Sequence, residues 1–84
     1  MKNWERAFTD FKRAVEIDPT RGIGYIGKGD ASRMLGEYED AVHFYTEAAA
    51  IQKPLVAVAL LKRAIALAEL KRYTEAASDL DTVR

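Results

Sequence analysis

One pattern of side chains occurs three times along this chain at nearly constant spacing, and no other feature of the sequence limits the fold so strongly. Trp4, Ala7, Phe8, Phe11 and Ala14 recur 34 residues later as Tyr38, Ala41, Val42, Tyr45 and Ala48. A shift of 35 brings them back again as Tyr73, Ala76, Ala77, Leu80 and Val83. Within each set the members are three, four or seven residues from one another around one adjacent pair, Ala7-Phe8, Ala41-Val42 and Ala76-Ala77, so all five side chains lie on one face of an α-helix. A unit repeated at such a period buries its apolar face only by stacking on its own copies.

A second repeated helix lies between these stretches. Ile23, Tyr25, Ile26, Ala31 and Leu35 return 35 residues on as Val58, Leu60, Leu61, Ala66 and Leu70, while Gly22, Gly24 and Gly29 return as Ala57, Ala59 and Ala64. Small residues remain small because two helices that cross closely leave no room for a side chain at the crossing. Pro19 and Pro54 each stop one helix before the next begins. Gly36 stands just past Leu35, where a left-handed cap favours glycine; Lys71 stands there in the next copy and is expected to weaken that cap.

These signals predict five helices, over Asn3 to Ile17 (with Asn3 as its cap), Arg21 to Leu35, Tyr38 to Gln52, Leu55 to Leu70 and Tyr73 to Val83. Links of two to four residues force neighbours to run antiparallel. No stretch alternates apolar and polar residues between turn signals, so no strand is assigned. The expected class is all-α, in a single domain spanning 1–84. Residues 3–18 form the second helix of an incomplete repeat, 21–53 a complete repeat and 55–84 a near-complete one.

Composition narrows the function. The 84 residues carry 13 Lys and Arg against 13 Asp and Glu, one His and no Cys. The charges balance locally as well: +1 over residues 1–21, −2 over 22–54 and +1 over 55–84. No segment is basic enough to hold phosphate by charge alone, so no nucleic-acid partner is expected. Without cysteine there is no disulfide framework, thiolate metal site or catalytic thiol, which fits a reducing, cytoplasmic setting. The longest apolar run, Leu55 to Leu61, has seven residues, far short of the ~20 that span a bilayer. The opening MKNWERAF has no secretory apolar core.

The order of residues resembles the tetratricopeptide repeat. Tyr25, Gly29, Leu35-Gly36, Tyr38, Ala41, Tyr45, Ala48 and Pro54 follow one another as in one copy of that family. The next copy keeps Leu60, Ala64, Leu70, Tyr73, Ala76 and Leu80, and the first stretch keeps Ala7, Phe11, Ala14 and Asp18-Pro19. The chain departs from the pattern at Lys28, where the family has Leu, at Ser32, where it has Tyr, and at Pro54, one residue late. The resemblance implies a right-handed superhelix of helix hairpins that binds peptides or helices in a concave groove lined by the first helices.

Three features that could carry chemistry have plainer readings. Gly22-Ile23-Gly24-Tyr25-Ile26-Gly27 spells the dinucleotide fingerprint, but a helix and Asp18-Pro19-Thr20 precede it where a strand is required. Its four neighbouring glycines, 22, 24, 27 and 29, cost a helix about 3 to 4 kcal/mol relative to Ala, so this helix depends on its neighbours. His43 has no second His or Cys for a metal and no Ser at a recognisable spacing. The acidic groups Glu37, Glu39 and Asp40, and again Glu75, Asp79 and Asp81, suit helix starts and water. No catalytic residue, metal, cofactor or small-molecule substrate is expected.

What remains is surface. Once the packing residues are removed, the first helices present Ile23, Ile26, Asp30, Arg33 and Met34, then Val58, Leu61, Lys62 and Ile65. This apolar trough, with Asp30, Arg33 and Lys62 setting orientation, is expected to bind another protein through a peptide or an amphipathic helix. The chaperone-tail clamp of the family is not matched: Ile26, Asp30 and Val58 stand at three of its polar positions, and only Lys62 is basic. A second expectation is homo-oligomerisation through uncapped ends, Trp4, Phe8 and Phe11 at one and Leu80 and Val83 at the other. The alternative is RNA binding of the pentatricopeptide type, which a steep salt dependence of binding would reveal.

Overall fold

The computed structural model describes residues 3–83. The chain winds through α1 (Trp4–Ile17), α2 (Gly22–Met34), α3 (Tyr38–Ile51), α4 (Val56–Glu69) and α5 (Tyr73–Val83), with a 3₁₀ turn over Lys53–Leu55 ahead of α4. Among the described residues there is no strand, and the fold is all-α. Each helix packs on the next, α1 on α2, α2 on α3, α3 on α4 and α4 on α5, as short links and repeated faces require.

Local chemistry sets the boundaries. Asn3 caps α1 by accepting the Arg6 N–H at 2.9 Å. The Asp18 carboxylate accepts the Thr20 N–H at 3.1 Å and its hydroxyl at 2.6 Å, fixing the turn around Pro19. α2 has no capping side chain of its own. The Gln52 side chain serves instead, taking the Gly22 N–H at 2.7 Å and tying the start of α2 to the end of α3. Arg21, Leu35, Gln52 and Leu70 flank their helices rather than belonging to them, and Leu55 falls in the 3₁₀ turn that contains Pro54.

The two hairpin turns are copies of each other. After α2, Gly36 at φ +81° lets the Glu37 N–H reach the Ser32 carbonyl at 2.8 Å. After α4, Lys71 takes φ +63° and the Arg72 N–H reaches the Leu67 carbonyl at 2.8 Å. The glycine-to-lysine change leaves the geometry intact, so its cost is conformational: a side chain in the left-handed region costs about 1 kcal/mol. Lys71→Gly is therefore expected to stabilise the domain by about 0.5 to 1 kcal/mol, read as a higher urea midpoint at unchanged slope.

The core sits where the recurring alanines meet. Ala41, Tyr45 and Ala48 of α3 close on Ala59 and Ala66 of α4 and on Ile26 of α2. A second cluster joins Ala64 and Leu67 of α4 to Ala76 of α5. Ile26 corrects the sequence reading. It was expected to line the trough, but it is only 5% exposed and belongs to this core. Three residues after Ile23 and four before Asp30, it lies toward the same side of α2, but it packs with Ala59 and Ala66 of α4, which covers it.

Candidate protein-binding surface

The outward face of the two first helices carries an apolar strip. Ile23 and Met34 on α2 and Val58, Leu61 and Ile65 on α4 are each 43 to 55% exposed. On α4 the spacing of three and four residues brings these three to one face, the face that also carries Lys62. Single exposed aliphatic residues are ordinary; here five fall on the two helices that the Lys62–Asp30 bond joins.

A polar seam crosses this strip. The Lys62 ammonium of α4 lies 3.1 and 3.2 Å from the two carboxylate oxygens of Asp30 on α2. The Tyr45 hydroxyl of α3 donates to the same Asp30 at 2.6 Å, and Arg33 Nε donates to that hydroxyl at 3.3 Å. Burial, then the hydrogen bond to Asp30, pushes the Tyr45 hydroxyl well above its ordinary pKa, so it stays a neutral donor. The three residues expected to orient a ligand are thus brought together, but first to join three helices of the chain. Asp30 faces both Arg33 and Lys62, and Glu69 of α4 lies near enough to Arg33 to act on it through its charge, so the seam is a balanced cluster of two carboxylates and two cations.

The ends of the stack differ. At the α1 end the aromatic residues are engaged within the chain: the Phe8 and Phe44 rings are 5.7 Å apart, and the Lys28 ammonium lies 4.4 Å from Phe44, 5.5 Å from Tyr25 and 5.7 Å from Phe8. Lys28, a departure from the repeat pattern, joins α1, α2 and α3 by cation–π attraction. Phe11 lies over Gly27, and Trp4 is half-buried with contacts of its own. At the other end a groove of about 330 Å³ opens between α4 and α5, floored by Ala64 and Ala76 and walled by Leu61, Ile65, Tyr73 and Leu80. Of the second oligomerisation pair, Leu80 lines this groove and Val83 is half-buried at the end of α5.

One ion pair escaped the sequence reading. Asp79, assigned there to a solvated helix start, is 5% exposed. It takes Arg63 Nε on one oxygen at 2.7 Å and the guanidinium NH2 on the other at 2.5 Å, a bidentate bond that raises the Arg63 pKa further. The signal available was positional: residue 79 falls three after Ala76, on the helix face that turns toward α4. His43 is exposed, with its ring edge-on to Phe44 at 5.6 Å. Among the described residues no three metal-binding side chains converge, and no helix is long and apolar enough to cross a membrane. No family model matches the chain, and no curated protein matches it.

Proposed function

We propose that this chain is a non-catalytic interaction module of the tetratricopeptide type that binds an amphipathic helix along the outer face of α2 and α4. The observation that carries this reading is the exposed strip of Ile23, Met34, Val58, Leu61 and Ile65 around the seam of Asp30, Arg33 and Lys62. Removing apolar area from water at about 25 cal/mol per Å² supplies affinity, less the cost of ordering the ligand. Arg33 and Lys62 select acidic residues at the ligand's edge and set its register. The 35-residue spacing and the alanine-lined crossings support the family assignment.

The test uses a displayed library of amphipathic 14-residue helices and takes the tightest selected peptide as probe. Leu61→Asp is expected to weaken that peptide tenfold or more, because a half-exposed leucine that a ligand covers is replaced by a charge the ligand must desolvate. Helicity and the urea midpoint are expected to stay near their original values. Selected peptides indifferent to both Leu61→Asp and Val58→Asp, or an unfolded Leu61→Asp variant, would reject the assignment of this face.

A further inference from the structure

The first copy of the repeat fills a space that the second leaves open. In the first, Phe8 of α1 and Phe44 of α3 bring their rings to 5.7 Å, and the Lys28 ammonium of α2 lies 4.4 Å from the Phe44 ring and 5.7 Å from that of Phe8. The same three positions one copy on are Val42, Asp79 and Arg63. Two phenyl rings have become an isopropyl group and a carboxylate, both smaller. A cavity of about 350 Å³ results between α3, α4 and α5, lined by all three of these residues and by Thr46, Leu67 and Ser78. The rings and cation of the first cluster belong to α1, α2 and α3, and the equivalent helices of the cavity are α3, α4 and α5. Its walls therefore do not depend on what precedes or follows the stack.

The chemistry of the walls defines what fits. Arg63 is held in place: Nε and Nη2 donate to the two Asp79 oxygens at 2.7 and 2.5 Å, and Nη1 donates to the Thr46 hydroxyl at 3.0 Å. Those bonds lie in the plane of the guanidinium, so its flat faces are what remains for stacking. A ring placed where Phe8 lies in the first copy meets this cation as Phe8 meets Lys28, with Val42 and Leu67 supplying aliphatic contact. At the rim stand two acceptors, the exposed Ser78 hydroxyl and the Glu75 carboxylate, which is held by Arg72 at 3.0 and 2.7 Å. Each charge around the cavity thus has an opposite charge already: Arg63 has Asp79, and Glu75 has Arg72. Neither a cation nor an anion is favoured, whereas a neutral ring with one donor is satisfied.

We infer that the cavity between α3, α4 and α5 binds a small neutral aromatic molecule bearing a hydrogen-bond donor, a phenol or an indole, with its ring on the Arg63 guanidinium. The volume is within the range of small-molecule sites, and the occupant takes the place of a ring that the chain itself supplies one copy earlier. No wall residue belongs to the outer strip, so the inference stands apart from the proposed helix binding. It gives the chain a ligand and no reaction upon it.

The probes are p-cresol and indole, titrated into the isotope-labelled whole chain and followed by NMR amide shifts. Methylcyclohexanol, which has the size and hydroxyl of p-cresol but no π face, is the comparison. Both aromatic probes are expected to shift the amides of Thr46, Arg63, Glu75 and Ser78 saturably, and p-cresol to bind about fivefold tighter than the saturated alcohol. Val42→Phe restores the ring of the first copy and is expected to abolish binding with the urea midpoint kept; Ser78→Tyr, from the exposed rim, fills the same space should Val42→Phe not fold. Val58→Asp, outside the cavity, is expected to leave binding unaltered. N-acetyltyrosinamide distinguishes the source of the ring: rejection supports a free molecule, and affinity equal to p-cresol supports a ring carried on a polypeptide. Absence of saturation, equal affinity for methylcyclohexanol, or a folded Val42→Phe or Ser78→Tyr variant that still binds p-cresol would overturn the proposal.

Discussion

Replacing Asp79 with Ala is expected to lower the stability of the domain by about 3 kcal/mol, a large share of the ~5 to 10 kcal/mol that a domain of this size has. The carboxylate is nearly inaccessible, and both its oxygens are held by the Arg63 guanidinium. Its removal leaves the Arg63 cation between α3 and α5 with the Thr46 hydroxyl, 3.0 Å from its Nη1, as hydrogen-bond partner and with Glu75 acting on it through its charge. Breaking a buried pair by removing one partner costs about 3 to 5 kcal/mol, and the 25% exposure of the Arg63 side chain together with the charge of Glu75 sets the lower end of that range. Asp79→Asn keeps the shape and one acceptor and is expected to lose about half as much. Replacing both partners with apolar residues of similar size, as in Arg63→Met with Asp79→Leu, is expected to recover most of the loss. Urea denaturation of the single and double variants measures this, and a single-variant loss below about 1 kcal/mol would show that the pair does not hold α5 in place.

Asp79 also marks where the sequence stops being legible. Helix positions were readable because the recurrence of Ala7, Ala41 and Ala76 is one-dimensional information: each step of 34 or 35 reports the same crossing. The partner of a charged residue is not of that kind. Asp79 looks like any acidic residue on a helix until the fold brings Arg63, 16 positions earlier, across from it. The same holds for Asp30 and Lys62, which read as ligand-facing charges and prove to bond each other across 32 residues. Ile26 is illegible for a subtler reason: equivalence by repeat is not equivalence of environment, since α4 covers Ile26 and nothing among the described residues covers its counterpart Leu61. Ser32 shows what a departure from the pattern does in practice. It is fully buried, its hydroxyl is without a hydrogen-bond partner among the described residues, and the same place in the next copy holds Leu67.

Gly29→Ala is expected to destabilise the domain by about 2 kcal/mol, against the usual direction for a glycine inside a helix. In an open helix the change gains about 1 kcal/mol, because glycine is the costlier residue to order. Here a Cβ would lie 2.4 Å from Tyr45 Cε1 and 2.7 Å from Cδ1, well inside contact distance. The ring has nowhere to go: Tyr45 is fully buried, and its hydroxyl is held by Asp30. Overpacking of this kind costs up to about 3 kcal/mol before the helical gain is subtracted. The next copy of the repeat supplies the control, since it has Ala64 where the first has Gly29 and Leu80 where the first has Tyr45. Tyr45→Leu is costly alone, as it leaves Asp30 short of a donor. Combined with Gly29→Ala it is expected to cost less than the sum of the two by about 1 to 2 kcal/mol, because the clash disappears with the ring. Additive losses in a double-mutant cycle would mean that the ring yields and that glycine is tolerated there rather than required. A coupling of that size would show that glycine and alanine interchange along this chain according to the side chain that lies across from them.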